Sequence, residues 1–342
     1  MKKLSIFVWI FIAVMVKGQD PHFAHVDETA LWVNPAYTGL FMGTFRGVVG
    51  YRDQWRGLGT PYRTYYLSAD GVVKQSMGSQ FSVGGYGVFD RPGLKSFKQT
   101  YGAMSASAHV KVGEGYLLGG GIMTGIFNMS FRPEEWRWAS QYDGMRYDGS
   151  LPSGEDLVGG SITRMDVGGG IAFYFMRNAT NPFSNDGIRG KVGVSFYHIN
   201  RPEQISVVGK DKKFSKVEVE GDVSIGIPNT NTAVQPGFLL GMQGPHVEFL
   251  PGVMVRYMLK EESKYTGYIK NSAMTLGSYV RVGDAVTAML GFEFSSYMVG
   301  FSYDVNVSGL SKASKGNGAM EIFIRAIYPG PEKLKRGNSP ML

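Results

Sequence analysis

The chain has 342 residues, a formal net charge of +7, 43% hydrophobic residues and no cysteine, which removes disulfides, thiolate metal sites, cysteine nucleophiles and lipoprotein attachment together. Taking away Lys2, Lys3 and Lys17 of the leading segment leaves 32 basic against 28 acidic residues, or +4, and the final dodecamer holds a further +2 of that through Lys333, Lys335 and Arg336 against Glu332. The body is close to neutral and carries no basic stripe, which argues against a nucleic-acid partner.

Residues 1–18 begin with Lys2 and Lys3, run apolar from Leu4 to Val16 and close on Val16-Lys17-Gly18. This is the shape of a secretory signal peptide, its apolar core too short to span a bilayer comfortably, and it is excluded from the fold. Residues 19–42 follow as a polar lead-in or plug, expected on the periplasmic side. Within it Asn34-Pro35 has turn chemistry. His22 and His25 stand three apart, a spacing that suits a metal on one helical face, but the sequence marks no third ligand, so a capping or turn role is expected and no metal or cofactor.

Residues 43–328 read as strand after strand. From Thr44 to Arg52, Phe45, Gly47, Val49 and Tyr51 alternate with Thr44, Arg46, Val48, Gly50 and Arg52, a period of two with one apolar face and one face carrying two arginines. The same dyad recurs at Phe81–Phe89, Val167–Phe175 and Val192–His198. Further candidates are 63–73, 99–112, 116–130, 213–227, 233–243, 247–259, 264–275, 276–282, 285–294, 297–305 and 319–328. With glycine at 48 residues, about twice ordinary usage, and aromatics at 13%, the composition is that of a β-barrel or β-sandwich. Strands of about nine residues or more match a tilted bilayer crossing and exceed the usual soluble strand. No later stretch reaches the roughly 18 unbroken apolar residues of a spanning helix. The expectation is an all-β, transmembrane, antiparallel up-and-down β-barrel of the bacterial outer membrane. About fifteen candidates against the requirement for an even number predict fourteen strands, with twelve or sixteen as alternatives.

Asp90-Arg91-Pro92-Gly93 and Asn181-Pro182 have turn chemistry. The connection from Arg132 to Thr163, with Trp136, Trp138, Tyr142, Asp143, Asp148, Glu155 and Asp156, is a candidate partner-binding surface or a loop that shields the lumen; Asn200 to Lys213 is a second, charged connection. Residues 329–342 form a basic tail. Gly119-Gly120-Gly121 and Gly168-Gly169-Gly170 lie inside strands and open no helix, so they suit close packing and not a phosphate cradle. His109, with Ser105 and Ser107 on its strand face, is placed to point into a lumen. No catalytic constellation emerges among the five histidines.

Several landmarks in order carry a resemblance: Gln19-Asp20-Pro21-His22-Phe23, Asn34-Pro35-Ala36-Tyr37-Thr38-Gly39, Arg52-Asp53-Gln54-Trp55, Tyr66-Leu67-Ser68-Ala69-Asp70, Gly84 to Gly93 with Asp90, Val299 to Asn306 with Tyr303 and Asp304, and Glu321-Ile322. On these the chain resembles the PorP/SprF family of Bacteroidota outer-membrane proteins associated with type IX secretion and gliding; between Lys210 and Pro251 the landmarks fade. The resemblance implies a non-enzymatic component that assists export or surface attachment of secreted proteins such as large adhesins. Its implied partners are outer-membrane lipid, the periplasmic ring or peptidoglycan-linked secretion proteins, and a secreted cargo. The alternative from the polar face of Arg46, Arg52 and Asp90 is a porin-like or hydrophobic-solute channel. Candidate partner-binding or structural residues are Asn34, Pro35, Gly39, Arg52, Gln54, Trp55, Asp90, Gly93, Trp136, Trp138, Tyr303 and Asp304, with Arg52 and Trp55 read either as a rim anchor at the membrane interface or as a partner contact.

Overall fold

Chain connectivity alone carries most of the architecture, since each strand pairs with the next through a turn. The computed structural model describes residues 20–76, 78–93, 97–132, 136–154, 159–177, 187–206, 209–260, 271–309 and 311–328. The leading segment 1–18, Glu155, Asp156, Asn181-Pro182, the start of the 264–275 candidate and the tail 329–342 lie outside them.

Strands β1 (Phe45–Gln54), β2 (Tyr62–Ser76), β3 (Ser79–Arg91), β4 (Phe97–Gly113), β5 (Tyr116–Phe131), β6 (Gly160–Arg177) and β7 (Ile188–Tyr197) form a continuous antiparallel meander. A short hairpin, β8 (Glu203–Ser206) and β9 (Gly209–Lys212), stands apart from it. The meander resumes through β10 (Lys216–Gly226), β11 (Thr232–Gln243), β12 (His246–Lys260), β13 (Ser272–Arg281), β14 (Ala285–Phe294), β15 (Tyr297–Asn306) and β16 (Asn317–Tyr328). β16 pairs antiparallel with β1 from Phe45↔Tyr328 to Gln54↔Ala319 and closes the ring at fourteen strands. An up-and-down ring can close antiparallel only on an even number. The two candidates 264–275 and 276–282 are one strand, β13, whose ladder runs unbroken from Ser272↔Phe294 to Arg281↔Ala285. That merger turns fifteen candidates into fourteen. The hairpin β8–β9 was not anticipated, and the charged connection holds it.

The dyad decides which way each side chain points. In β1, Arg46, Val48, Gly50 and Arg52 face inward and are buried, while Phe45 and Val49 face outward at 50% and 57% exposure. Leu67, Ile122, Leu276, Val299 and Ile324 continue the exposed apolar belt. A belt of this extent would be an aggregation surface in water and is at rest in hydrocarbon. No helix among the described residues is long and apolar enough to cross a membrane; the strands make the crossing.

The longest connections, 132–159 and 198–215, leave the same end of the barrel; β1 starts and β16 stops at the other end. The first is the loop end below, the second the terminal end. Residues 20–43 belong to neither rim. Asp20 meets Gln243 at the loop end, and Gly39 meets Gln80 near the terminal end, so the segment runs down the lumen before turning into β1. Its helix α1 (Ala30–Val33) and the residues around it supply much of the apolar core. Trp32 packs edge-on against Phe23, Tyr86 and Tyr101 at ring separations of 6.4, 5.6 and 5.4 Å, and Tyr66, Phe127 and Phe323 complete the cluster. A membrane barrel thus has its hydrophobic core partly inside the lumen, between segment and wall.

Replacing Trp32 by Ala removes the centre of this cluster at a cost of about 3–5 kcal/mol. The expected outcome is a ring that still forms, with residues 20–42 newly open to limited proteolysis in detergent. Proteolysis unchanged from wild type would contradict the seat assigned to Trp32.

Candidate functional site

The site is the interface between the luminal segment and the wall. Its lower half is built on Asn34-Pro35-Ala36-Tyr37-Thr38-Gly39. Asn34 caps a 3-10 turn, Pro35–Tyr37, by accepting the Ala36 N–H at 2.9 Å, and Pro35 stands at the first position, where its missing N–H costs nothing. The Asn34 amide donates to Glu220 Oε1 at 2.8 Å and to the Ile171 carbonyl at 3.1 Å. The two glycine triplets make room for this turn. A Cβ at Gly121 would lie 2.4 Å from the Pro35 carbonyl, and one at Gly170 would lie 2.1 Å from Asn34 Oδ1. These are approaches no larger residue permits.

β4 holds the other side through the face singled out in the sequence. Ser105 Oγ lies 2.7 Å from Thr38 Oγ1, Ser107 donates to the Thr38 carbonyl at 2.6 Å, and His109 Nε2 donates to the Ala36 carbonyl at 2.8 Å. Gly39 leaves the turn at φ +70°, its N–H donating to Asp70 Oδ2 at 2.7 Å and its carbonyl accepting from Gln80 at 2.7 Å. Asp70 is gripped at the same time by Arg46, Nε to Oδ1 at 2.9 Å and Nη2 to Oδ2 at 2.8 Å. The bidentate fork fixes the carboxylate that holds the glycine.

The upper half is held by charge. Arg52 pairs with Glu321 and, at 3.1 Å, with Asp304; Arg281 reaches Asp304 at 3.4 Å and Glu248 at 2.8 Å. Glu321 is also the acceptor for the segment's backbone, taking the Ala24 N–H at 2.9 Å and the His25 N–H at 3.3 Å. Asp20 pairs with Lys213 and with His198 Nε2 at 2.6 Å, while His198 Nδ1 sits 2.8 Å from Asp166. Both nitrogens of this imidazole are engaged by carboxylates, so the ring acts as a bridge and has none free to activate a nucleophile. Burial, the largest single influence, would raise the Asp20 carboxyl; Lys213, His198 and Lys216 together outweigh it and hold the group well below the usual aspartate range. Below, Lys191 pairs with Asp27 and Asp222, and Arg325 with Glu28.

Of the twelve residues expected from sequence, Asn34, Pro35 and Gly39 lie in the luminal segment, and Arg52 and Asp304 meet in one buried network. Arg52 is 2% exposed. The reading of Arg52 as an interfacial rim cation is corrected: strand parity turns it inward with Arg46. Asp90 is inward as well and accepts from Thr64 at 2.6 Å. Gln54 ends β1 at the loop end, where Trp55, at φ 60°, meets Tyr62 edge-on at 4.9 Å and Gly93 packs beside the same ring. Tyr303 faces outward and donates to Asn317 at 2.9 Å. Trp136 and Trp138 pack together at 5.3 Å on the long loop, Trp136 resting on Phe131. Sequence reasoning passed over Asp20, Asp70, His198, Lys213, Glu220, Glu248 and Arg281 as participants. The inward parity of Asp70, Glu220, Glu248 and Arg281 on their strands was the available signal.

Comparison with known proteins gives a family model described as "Type IX secretion system membrane protein PorP/SprF", which matches residues 15–326. No match was found among curated proteins. Among solved structures the chain is similar to the CymD monoaromatic hydrocarbon channel, at 11% identity and TM-score 0.46 over 89% of this chain and 93% of that one. It is similar to a Pseudomonas aeruginosa FadL homologue, at 10% identity and TM-score 0.46 over 88% and 94%. It is also similar to BamA from Haemophilus ducreyi lacking POTRA domains 1-3, at 10% identity and TM-score 0.41 over 83% and 70%.

Removing one member of a buried ion pair strands the other. Glu321→Ala is therefore expected to lower stability by about 3–5 kcal/mol in urea unfolding of the detergent-solubilised protein. Arg52→Met combined with Glu321→Leu should be less damaging than the two single changes added together, by about 0.5–3 kcal/mol. Strict additivity in that cycle would contradict the coupling.

Proposed function

Because the chain belongs to the PorP/SprF family of type IX secretion system membrane proteins, we propose that it is a non-enzymatic outer-membrane barrel that docks secreted proteins and secretion components at its rims, assisting cargo export or holding a large adhesin at the surface. The observation that carries this reading is the lumen filled by residues 20–39 and tied to strands on every side. A barrel so filled offers cargo its ends and not its interior. Longer loops of outer-membrane barrels face outward, which puts the loop end outside the cell and the short turns in the periplasm. On that side stand Trp136 and Trp138, with Tyr142 and Met145 exposed, Met145 at 97%, and the hairpin β8–β9 alongside. Aromatic and methionine side chains are the usual anchors of protein interfaces. Residues 1–18 serve in this reading as the removed export signal, and the terminal end meets the periplasmic ring or peptidoglycan-linked proteins.

The channel alternative drew on the polar face of Arg46, Arg52 and Asp90. The two arginines are engaged here, Arg46 with Asp70 and Arg52 with Asp304 and Glu321, in the contacts that hold the segment in place, while Asp90 accepts from Thr64 of the wall.

Pull-down of the tagged protein from detergent-solubilised outer membrane is expected to recover type IX components together with a secreted surface protein. The Trp136→Ala, Trp138→Ala double variant should lose the secreted partner while the barrel stays folded. A deletion strain that still displays every type IX cargo normally would contradict the proposal, and bilayer conductance by the wild-type barrel would favour the channel.

A further inference from the structure

His22 and His25 alone offer no metal site, because the sequence places no third ligand near them. Folding supplies two from a distant strand. His22, two residues into the described segment, lies against the first turn of β12, where His246 opens the strand and Glu248 follows on the same face. His22 Nδ1 is 2.6 Å from Glu248 Oε2, and the two imidazole rings stand 5.7 Å apart at 51°. One ligand atom from each of the three residues falls within 4.8 Å of the others. The second nitrogen of His22, Nε2, is buried and without a hydrogen-bond partner among the described residues.

We propose that His22, His246 and Glu248 bind a divalent first-row metal ion of the zinc class, which clamps the start of the luminal segment to the β11–β12 turn at the loop end. Two imidazoles and one carboxylate form a borderline donor set that suits zinc and disfavours calcium or magnesium, which seek oxygen. Zinc–ligand bonds near 2.0–2.2 Å at tetrahedral angles put neighbouring donor atoms about 3.3 Å apart. The ion would enter at the His22–Glu248 contact, the two atoms separating by about 0.7 Å while the proton between them moves to His22 Nε2 or is released to solvent.

The surroundings favour a cation in that place. Glu248 is buried, and its other oxygen, Oε1, accepts from Arg281 Nε at 2.8 Å, an outer contact that fixes the carboxylate's orientation. The charge of Arg281 is itself spread over Asp304 at 3.4 Å and Asp284 at 3.6 Å, so it does not repel an incoming ion unopposed. His22 and His246 are half-exposed at the barrel mouth, which gives an entry path and leaves the fourth coordination position to water. Three protein ligands with one position open to solvent differ from the closed four-ligand set of a structural zinc site. The bond has a mechanical consequence. His22 lies between Asp20, held by His198 and Lys213, and Ala24, held by Glu321, so the ion adds a metal–ligand tie at the point where the segment emerges.

The test uses full-length, tag-free protein in detergent, stripped with EDTA, dialysed and titrated with zinc chloride by calorimetry, with bound metal counted by plasma mass spectrometry. Wild type is expected to bind a single zinc per chain and to gain thermal stability from it. His246→Ala, a change at the half-exposed mouth, is expected to weaken binding by about tenfold or more and to lose the thermal gain. Glu248→Gln should do the same, and where its fold is compromised, judged by heat-modifiable migration on gels, His246→Ala decides. Absence of saturable zinc binding by wild type, or stoichiometric binding kept by His246→Ala, overturns the proposal.

Discussion

The structure depends on one constraint: charged side chains that face into the lumen and are buried there must find partners. The wall turns Arg46, Arg52, Asp70, Glu220, Glu248, Arg281, Asp304 and Glu321 inward, all of them buried. Some pair with one another across the strands. Others complete their bonding on the luminal segment: Asp70 on the Gly39 N–H, Glu220 on Asn34 and Glu321 on the N–H groups of Ala24 and His25. Buried pairs of this kind add little net stability compared with a well-packed apolar interior, yet losing one partner is costly. Their effect is therefore on geometry. They hold residues 20–43 in one path and join opposite walls of the ring through it.

The same constraint bears on the docking proposed for the rims. With the segment seated, the loop end still presents the half-buried Trp136–Trp138 pair, the exposed Tyr142 and Met145, and the β8–β9 hairpin. Lys213, which follows that hairpin, turns inward to Asp20. The 198–215 connection and the start of the luminal segment thus share one charged anchor. The proposed metal at His22, His246 and Glu248 would tighten that joint from the neighbouring β11–β12 turn.

Period-two alternation made the ring legible before any coordinates. Thr44–Arg52 already separated a lipid face of Phe45, Val49 and Tyr51 from a face of Arg46, Val48 and Arg52, and the even-number rule excluded fifteen and put fourteen ahead of twelve or sixteen. Ser105, Ser107 and His109 were placed on one inward face, and they meet the segment there. The rim-anchor alternative for Arg52 set composition above parity, since a cation beside a tryptophan at a strand end looks interfacial while its strand position points inward. The pairing itself was out of reach of sequence. Glu321 with Ala24, and Glu248 with His22, join residues from opposite ends of the chain, and no local spacing encodes such a bond. The hairpin β8–β9 was hidden for a different reason: its four-residue strands show too little alternation to register.

The absence of native cysteine allows the seating of the segment to be measured directly. Thr38 Oγ1 and Ser105 Oγ lie 2.7 Å apart, close enough for the corresponding thiols to be bridged. Thr38→Cys with Ser105→Cys, expressed in intact outer membranes and read by mass spectrometry after mild oxidation, should form the disulfide between segment and wall nearly completely, with each single variant left as a shielded thiol. Two thiols that stay free and react readily with a membrane-impermeant maleimide would contradict a luminal segment held against β4.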